Sequence, residues 1–341
     1  MQEIFQVFKR RFERDKSGFI KDWLVRWDYQ VKRKKRKLVA EEGEPADFFN
    51  YHGVQDFAEW INWLKEPSPN YLGEAISDLC ELSTENDKRI FKNLGIEVNW
   101  ERYKNNIDYM NAHDFIFPNF YPHPERFKIK NVLDFGAGYG RQANLWTDKL
   151  KEYTFIGMDA VPKPYCMQNE YYKATGKEFF DYIEQENFNL DFNKNCIYHI
   201  PTWRYDLIPD NSLDLILCVQ VLPELNSKLV KKMIEEFNRM LKPGAMLYIR
   251  DHGMFWRPAG GINADEFAQQ NGFILEFHPH LISEVEIHGV PRIYRKIHPD
   301  VIKSHAPDFK RKVRQQLENI DAVMGGRLNK LSKKIRKLRG K

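Results

Sequence analysis

With 341 residues, 42% of them hydrophobic and 14% aromatic, the chain can bury the core of one large or two modest domains, which excludes wholesale disorder. The net charge of +5 is unevenly held: residues 310–341 carry twelve Lys or Arg against Glu318 and Asp321, leaving the remainder mildly acidic. No run approaches eighteen apolar residues, so no membrane span is expected, and Met1-Gln-Glu-Ile-Phe-Gln lacks the apolar core of a signal peptide.

The first 120 residues read as helical. Ile4, Phe5, Phe8 and Phe12 recur at helical spacing, as do Phe57, Trp60, Ile61 and Leu64. Lys32-Arg-Lys-Lys-Arg-Lys37, followed by acids, reads as a solvated basic helix end, with phosphate binding or a nuclear signal as alternatives. Pro67, Pro69 and Gly73 punctuate the next stretch, and Ile76, Leu79 and Leu82 begin another face. Residues 115–124 hold three prolines, a stiff path into the first strand. That strand is Val132-Leu-Asp-Phe135, an apolar run leading into Gly136-Ala-Gly-Tyr-Gly140, a turn in which a ligand can lie against backbone. A helix after it would present free N–H groups. A second strand, 153–158, ends in Asp159, nineteen residues beyond Gly140, where a carboxylate can accept from both ribose hydroxyls. Residues 196–201 and 212–219 predict two more strands, the latter a continuous apolar run suited to a doubly covered position. A helix over 227–241 places Leu229, Met233, Phe237, Met240 and Leu241 on one side and stops at Lys242-Pro-Gly244. Residues 245–249, a segment after Asn271-Gly-Phe273, and 291–295 complete the strands. Cys80, Cys166, Cys196 and Cys218 have neither metal nor redox spacing and suit a reducing cytoplasm.

The turn departs from the dinucleotide fingerprint, because the position of its third glycine holds Arg141. Its acid followed by Gly-x-Gly-x-Gly resembles the first motif of class I S-adenosylmethionine-dependent methyltransferases. Asp210-Asn-Ser-Leu-Asp214 and Met240-Leu-Lys-Pro-Gly244 are similar to further segments of that family. The resemblance covers roughly residues 120–297. It implies a Rossmann-like, seven-stranded α/β sheet over 121–300 with an N-terminal helical cap and substrate region over 1–120, while residues 301–341 read, from their own charge and spacing, as a basic amphipathic helical tail. The resemblance also implies S-adenosylmethionine as cofactor. Asp134, Gly136, Ala137, Gly138 and Gly140 would meet its amino-acid end, and Asp159 with Ala160 its ribose. Many members end strand three with an Asp that receives the adenine amino group. Thr202 stands there, and Asp206 is the nearest acid, so Thr202 or backbone would serve instead, with Trp203 either stacking on the adenine or packed in the core. Gln220, just past the fourth strand, completes the expected cofactor contacts.

The stretch from His199 through Glu224 further resembles sugar O-methyltransferases of bacterial and viral glycan pathways, implying a sugar or glycan hydroxyl as acceptor. A hydroxyl is a poor nucleophile near neutral pH and needs a base. His252 is the preferred base, with Asp251 to orient it and Glu224 as the other candidate. No ligand spacing identifies a metal site. Methyl transfer to protein or RNA, and a cofactor-binding subunit without chemistry, are the alternatives. Nucleic acid is the less expected partner, since Asn/Asp-Pro-Pro-Tyr is absent where Gln220-Val-Leu-Pro-Glu224 stands. In the tail, Leu328, Leu331, Ile335 and Leu338 form one stripe amid basic residues. Such a helix over 327–341 would lie on an anionic membrane, making the enzyme cytoplasmic with peripheral contact at the inner face.

Overall fold

A computed structural model describes residues 2–15, 50–63, 73–120, 128–222, 225, 227–251, 263–277 and 290–297. The chain divides into two compact units, Met1–Lys296 and Ile297–Lys341, and the first of them holds the sheet. Eight strands form that sheet in the order β3-β4-β2-β1-β5-β6-β8-β7. They are β1 (Asn131–Phe135), β2 (Thr154–Asp159), β3 (Phe179–Asp181), β4 (Cys196–Pro201), β5 (Leu213–Val219), β6 (Leu241–Asp251), β7 (Phe273–Phe277) and β8 (Val290–Lys296). The six from β3 to β6 in the sheet run parallel, while β8 is antiparallel to both β6 and β7.

The expected seven strands are therefore eight. The addition is β3, an edge strand of three residues paired to β4, too short to show a period in sequence. The central strands β1, β2 and β4 are buried along their whole length, as apolar runs covered on both faces require. β1 is pinned at its start by Asp214 of β5, whose Oδ2 accepts from the N–H groups of Lys130 (3.0 Å) and Asn131 (2.8 Å).

Among the described residues the helices are α1 (Gln2–Arg14), α2 (Gln55–Trp63), α3 (Ser77–Leu94), α4 (Trp100–Tyr103), α5 (Ile107–Phe120), α6 (Ala143–Lys149), α7 (Pro162–Ala174), α8 (Ser227–Met240) and α9 (Ala264–Gln270). The helices before residue 120 are part of the sheet's own core. Ile4, Phe8, Phe57, Ile61, Phe91 and Tyr103 belong to one buried cluster with Leu133, Ile156 and Leu217. α1 sets Phe8 against Tyr165 of α7, with ring centroids 5.0 Å apart. The inward face of α3 is largely polar: Ser83, Asn86 and Asp87 are buried beside Ile90 and Phe91. The four cysteines are buried free thiols.

Register brings Phe135, Asp159, Pro201 and Val219 to one edge of the sheet, the carboxyl ends of its parallel strands. β1 leads on to β2 on one side, while its other neighbour, β5, leads on to β6 on the opposite side, so the connections leaving these two adjacent strands run in opposite directions. In open α/β sheets a ligand crevice forms at such a reversal.

Candidate active site

The turn after β1 needs its glycines for two separate reasons. Gly136, Gly138 and Gly140 all have positive φ, at 73°, 59° and 96°, a region that side chains disfavour. A Cβ on Gly136 would also lie 2.2 Å from Val221 Cγ2, and one on Gly140 would lie 2.8 Å from Tyr172 Cε1. The N–H groups of Gly136 and Ala137 are taken by the Met158 carbonyl of β2, at 2.8 and 3.3 Å. The next helix, α6, begins only at Ala143, whose N–H donates to the Gly140 carbonyl. The free helix-end N–H groups expected next to the turn are therefore not supplied by α6 at Gly140.

Asp134 lies one strand position before the turn, 2% exposed, and its Oδ2 has no hydrogen-bond partner. Burial raises its pKa to about 8, against a downward pull from Arg141. Asp159 ends β2. Its Oδ1 accepts from the N–H groups of Ala160 (2.8 Å) and Val161 (2.9 Å), and its Oδ2 from the Gln168 amide (3.1 Å). Burial raises it to about 6, with those donors holding it back. Ala160 thus serves by fixing the carboxylate through its backbone.

Thr202 opens the 3-10 turn after β4, and its buried Oγ1 has no partner. Gln220 follows β5 in the left-handed region (φ 59°), and its Nε2 is likewise buried without a partner. A non-glycine residue held there marks a strained, over-determined backbone. Its N–H donates to the Arg250 carbonyl at 2.8 Å, which fixes the bend. Each buried polar atom lacking a partner costs about 1–3 kcal/mol, which a ligand supplying that partner recovers. Three such atoms, on Asp134, Thr202 and Gln220, follow the carboxyl ends of β1, β4 and β5 or sit close to them. A cationic amino group fits the first, and the polar edge of a nucleoside fits the other two.

Trp203 does not stack as an adenine platform would. Its indole meets Phe8 and Phe12 of α1 edge-on, at 5.4 and 5.2 Å, and its N–H donates to Asp15 at 3.3 Å. The α1 aromatics claim it as core. Asp206 is turned outward and chelated by Arg204 at 2.9 and 3.0 Å. Asp251 ends β6 inside a buried ion network: Arg292 Nη2 donates to its Oδ1 at 2.6 Å, while Arg292 Nε reaches Asp265 at 2.9 Å. That carboxylate joins β6, β8 and α9. His252 and Glu224 lie outside the described residues, as do His278, His280 and His288. Among the described residues no cluster of His, Cys, Asp or Glu is arranged to hold a metal.

The N-terminal helices reach the turn directly. Trp60 of α2 comes within 3.7 Å of where a Gly138 Cβ would stand. Lys163, at the start of α7 and 2% exposed, pairs with buried Asp56 of α2 at 2.9 Å and with Glu59 at 3.4 Å. Asp87 of α3 accepts from the hydroxyls of Tyr171, Tyr103 and Tyr139, the last of these inside the turn, and from the Asn144 amide. Burial raises Asp87 to about 6, against the pull of those donors. Asp114 of α5 binds two arginines, Arg250 of β6 (2.6 and 2.8 Å) and Arg141 of the turn (2.7 Å). Burial works to raise Asp114, but the Arg250 and Arg141 charges outweigh it and hold it well below the usual carboxylate range. Tyr51 and Tyr103, aromatics of the N-terminal region that by type could stack on a sugar ring, are both core. The sequence patterns did not reveal Asp87, Asp114, Arg141, Gln168 or His199. One usable signal existed: Asp114 interrupts the apolar run Phe115-Ile-Phe117 at its edge, and an acid is seldom buried unless paired.

Residues 133–249 match the family described as "Methyltransferase domain". The chain is similar to the tRNA N(3)-cytidine methyltransferase METTL2 of Danio rerio, 42% identical over 48 residues, which is 14% of each chain. It is also similar to the protein MJ0638 of Methanocaldococcus jannaschii, 23% identical over 282 residues, or 78% of this chain and 92% of the relative. Among solved structures it resembles the N-methyltransferase NodS from Bradyrhizobium japonicum WM9, in complex with S-adenosyl-l-homocysteine. That match has 13% identity and a TM-score of 0.42, covering 62% of this chain and 99% of that one.

The matched segment spans the glycine turn and runs through β6, so these elements form a Rossmann-like methyltransferase domain. The chain is an S-adenosylmethionine-dependent methyltransferase, and S-adenosylmethionine is its cofactor.

Proposed function

We propose that the enzyme transfers the methyl group to a hydroxyl of a sugar or glycan precursor. The observation that carries this reading lies after β5. There Gln220 bends left-handed with an unpaired buried amide, and Val221 packs against Gly136. That stretch stands where amino-directed nucleic-acid methyltransferases carry Asn/Asp-Pro-Pro-Tyr, whose acceptors hold an exocyclic amine. Gln220-Val-Leu-Pro-Glu224 stands there instead and lacks the groups that motif offers an amine, which supports a hydroxyl acceptor.

The bound cofactor supplies an electrophilic methyl on a sulfonium, so the protein's work is alignment of an in-line displacement. In this reading Asp134 takes the cofactor ammonium, and Asp159, held by two backbone N–H groups, takes the ribose hydroxyls. Thr202 and Gln220 take polar edges of the nucleoside, and Trp60 covers the turn. His252 removes the acceptor's proton, with Glu224 as the other candidate. The tail stripe over 327–341 belongs to the same proposal, as a contact with the anionic surface on which a lipid-linked acceptor is assembled.

A second reading, methylation of RNA, is favoured by the 48-residue match to the Danio rerio enzyme together with the basic tail. The test offers methyl-labelled cofactor with nucleotide- and lipid-linked glycan precursors, and separately with tRNA, followed by product analysis. Label in an alkali-stable methyl ether of a glycan is the expected result. Label only in tRNA would establish the second reading. Cofactor binding without any labelled product would indicate a scaffold subunit.

A further inference from the structure

A buried polar chain leads from the sheet edge to the cofactor turn. Asp181 of β3 is 1% exposed; its Oδ1 accepts from the Tyr165 hydroxyl (2.7 Å) and the Ile183 N–H (2.9 Å). Its Oδ2 accepts from the Asn169 amide (2.6 Å) and faces His199 Nδ1 at 2.9 Å. His199 of β4 is fully buried, and its Nε2 faces Gln168 Oε1 at 2.9 Å. Gln168 Nε2 then donates to the Gly138 carbonyl (2.7 Å) and to Asp159 Oδ2 (3.1 Å).

Counting protons along this chain fixes the state of the ring. The Gly138 carbonyl can only accept, so Gln168 must turn its NH2 group toward the turn and its Oε1 toward His199. Oε1 in turn requires a proton on Nε2. Asp181, which already accepts from the Tyr165 hydroxyl, the Ile183 N–H and the Asn169 amide, is held as a carboxylate and requires one on Nδ1. Both ring nitrogens are therefore protonated.

We propose that His199, as a buried imidazolium paired with Asp181, is a positioning residue for the cofactor's ribose, acting through Gln168 to fix the Asp159 carboxylate and the Gly138 carbonyl. The proposal rests on the reading that Asp159 takes the ribose hydroxyls. When His199 gives up a proton it keeps Nδ1–H for Asp181, and the Nε2 lone pair then opposes Gln168 Oε1. Turning the amide over relieves that contact but sets Oε1 against Asp159 and the Gly138 carbonyl. Cofactor affinity therefore falls as pH rises.

The charged and titratable groups around the ring come from several elements. Asp181 comes from β3, and Glu184, joined to Lys173 at 2.7 Å, reaches the cluster through Asn169. From α7, Tyr165 stacks on the imidazole at 3.8 Å and Tyr172 meets it edge-on at 5.4 Å. β2 contributes Asp159 through Gln168, and directly opposite His199 only Gly157.

The probe is 5′-methylthioadenosine, which keeps the adenosine and has no amino-acid end to titrate. Its binding to the full chain is measured by calorimetry between about pH 7 and about pH 10. Wild type should lose roughly tenfold or more in affinity across that range, a change on the scale of a lost charge-assisted hydrogen bond. Asp181→Asn should give a flat profile. The new amide can donate to Nδ1 of a neutral ring that keeps Nε2–H, and Asn169 can turn its unpartnered Oδ1 toward it. A wild-type affinity independent of pH, or an equal fall in Asp181→Asn, overturns the proposal. Asp159→Ala separates failure of the underlying reading, since unchanged affinity there removes the ribose contact itself. Nitrogen-15 spectra of the histidine-labelled, ligand-free protein give a second readout: a neutral-pH ring at His199 with one bare nitrogen also overturns the proposal.

Discussion

Burial holds the Asp134 carboxyl at about 8, so near neutral pH the ligand-free protein keeps it mostly protonated. A cofactor ammonium seated against Oδ2 would ionise it, and binding should then release a proton. Calorimetry in buffers of different ionisation enthalpy should show release approaching one proton per cofactor near pH 7, shrinking above about pH 8 and missing in Asp134→Asn. The sign for stability is the reverse of a salt-bridged acid. A folded value above the unfolded one means the native state binds the extra proton. This group's contribution is thus full at low pH and lost as pH rises from about 4 to about 8. Asp134→Asn should flatten that part of the ligand-free stability profile.

The clasp between α2 and α7 is a buried ion pair, so its two halves should behave asymmetrically. Lys163→Met alone strands the Asp56 carboxylate in the core, at a cost of about 3–5 kcal/mol. Adding Asp56→Leu removes the stranded charge and should restore most of that loss. Denaturant titrations of the single and double variants test this, with hydrogen exchange across Gln55–Trp63 reporting whether α2 loosens. Equal destabilisation of both variants would discard the clasp. Much of the element scale was legible in the sequence, because β1, β2, β4 and β5 are buried apolar runs and α8 buries the predicted stripe of Leu229, Met233 and Phe237. α3 was legible only in part. Its predicted face held Leu79 and Leu82, both partly buried, whereas the residues that fasten it are Ser83, Asn86 and Asp87. Hydrophobic periodicity cannot see a buried polar face, and that is also why the partners of the glycine turn were missed although the turn itself was plain. Trp203 shows the opposite limit: its residue type allowed either stacking or packing, and only α1, far away in sequence, decided it.

At the scale of the whole chain, the charge asymmetry gives the tail a test of its own. The predicted tail stripe lies outside the described residues, and among those that are described no helix is long and apolar enough to cross a membrane. Each basic group near an anionic surface contributes about 1 kcal/mol, and screening weakens it at high salt. The full chain should therefore sediment with anionic vesicles at low salt and not with neutral ones, and a chain ending at Met324 should stay in solution. Equal behaviour of both chains would end the membrane proposal and leave the tail as an element for self-association or RNA.

The N-terminal helices grip the glycine turn from two sides, Asp87 through Tyr139 and Asp114 through Arg141. Any molecule that shifts α3 or α5 must also shift the turn, so binding at the helices and binding of the cofactor share one free-energy term. Linkage of this kind is reciprocal: an acceptor that tightens cofactor binding by some factor is itself bound tighter by the same factor once the cofactor is in place. Substitutions chosen to change the acceptor would then alter the two equilibrium affinities together, and an affinity measured with one site empty would describe a different protein from the one that turns over.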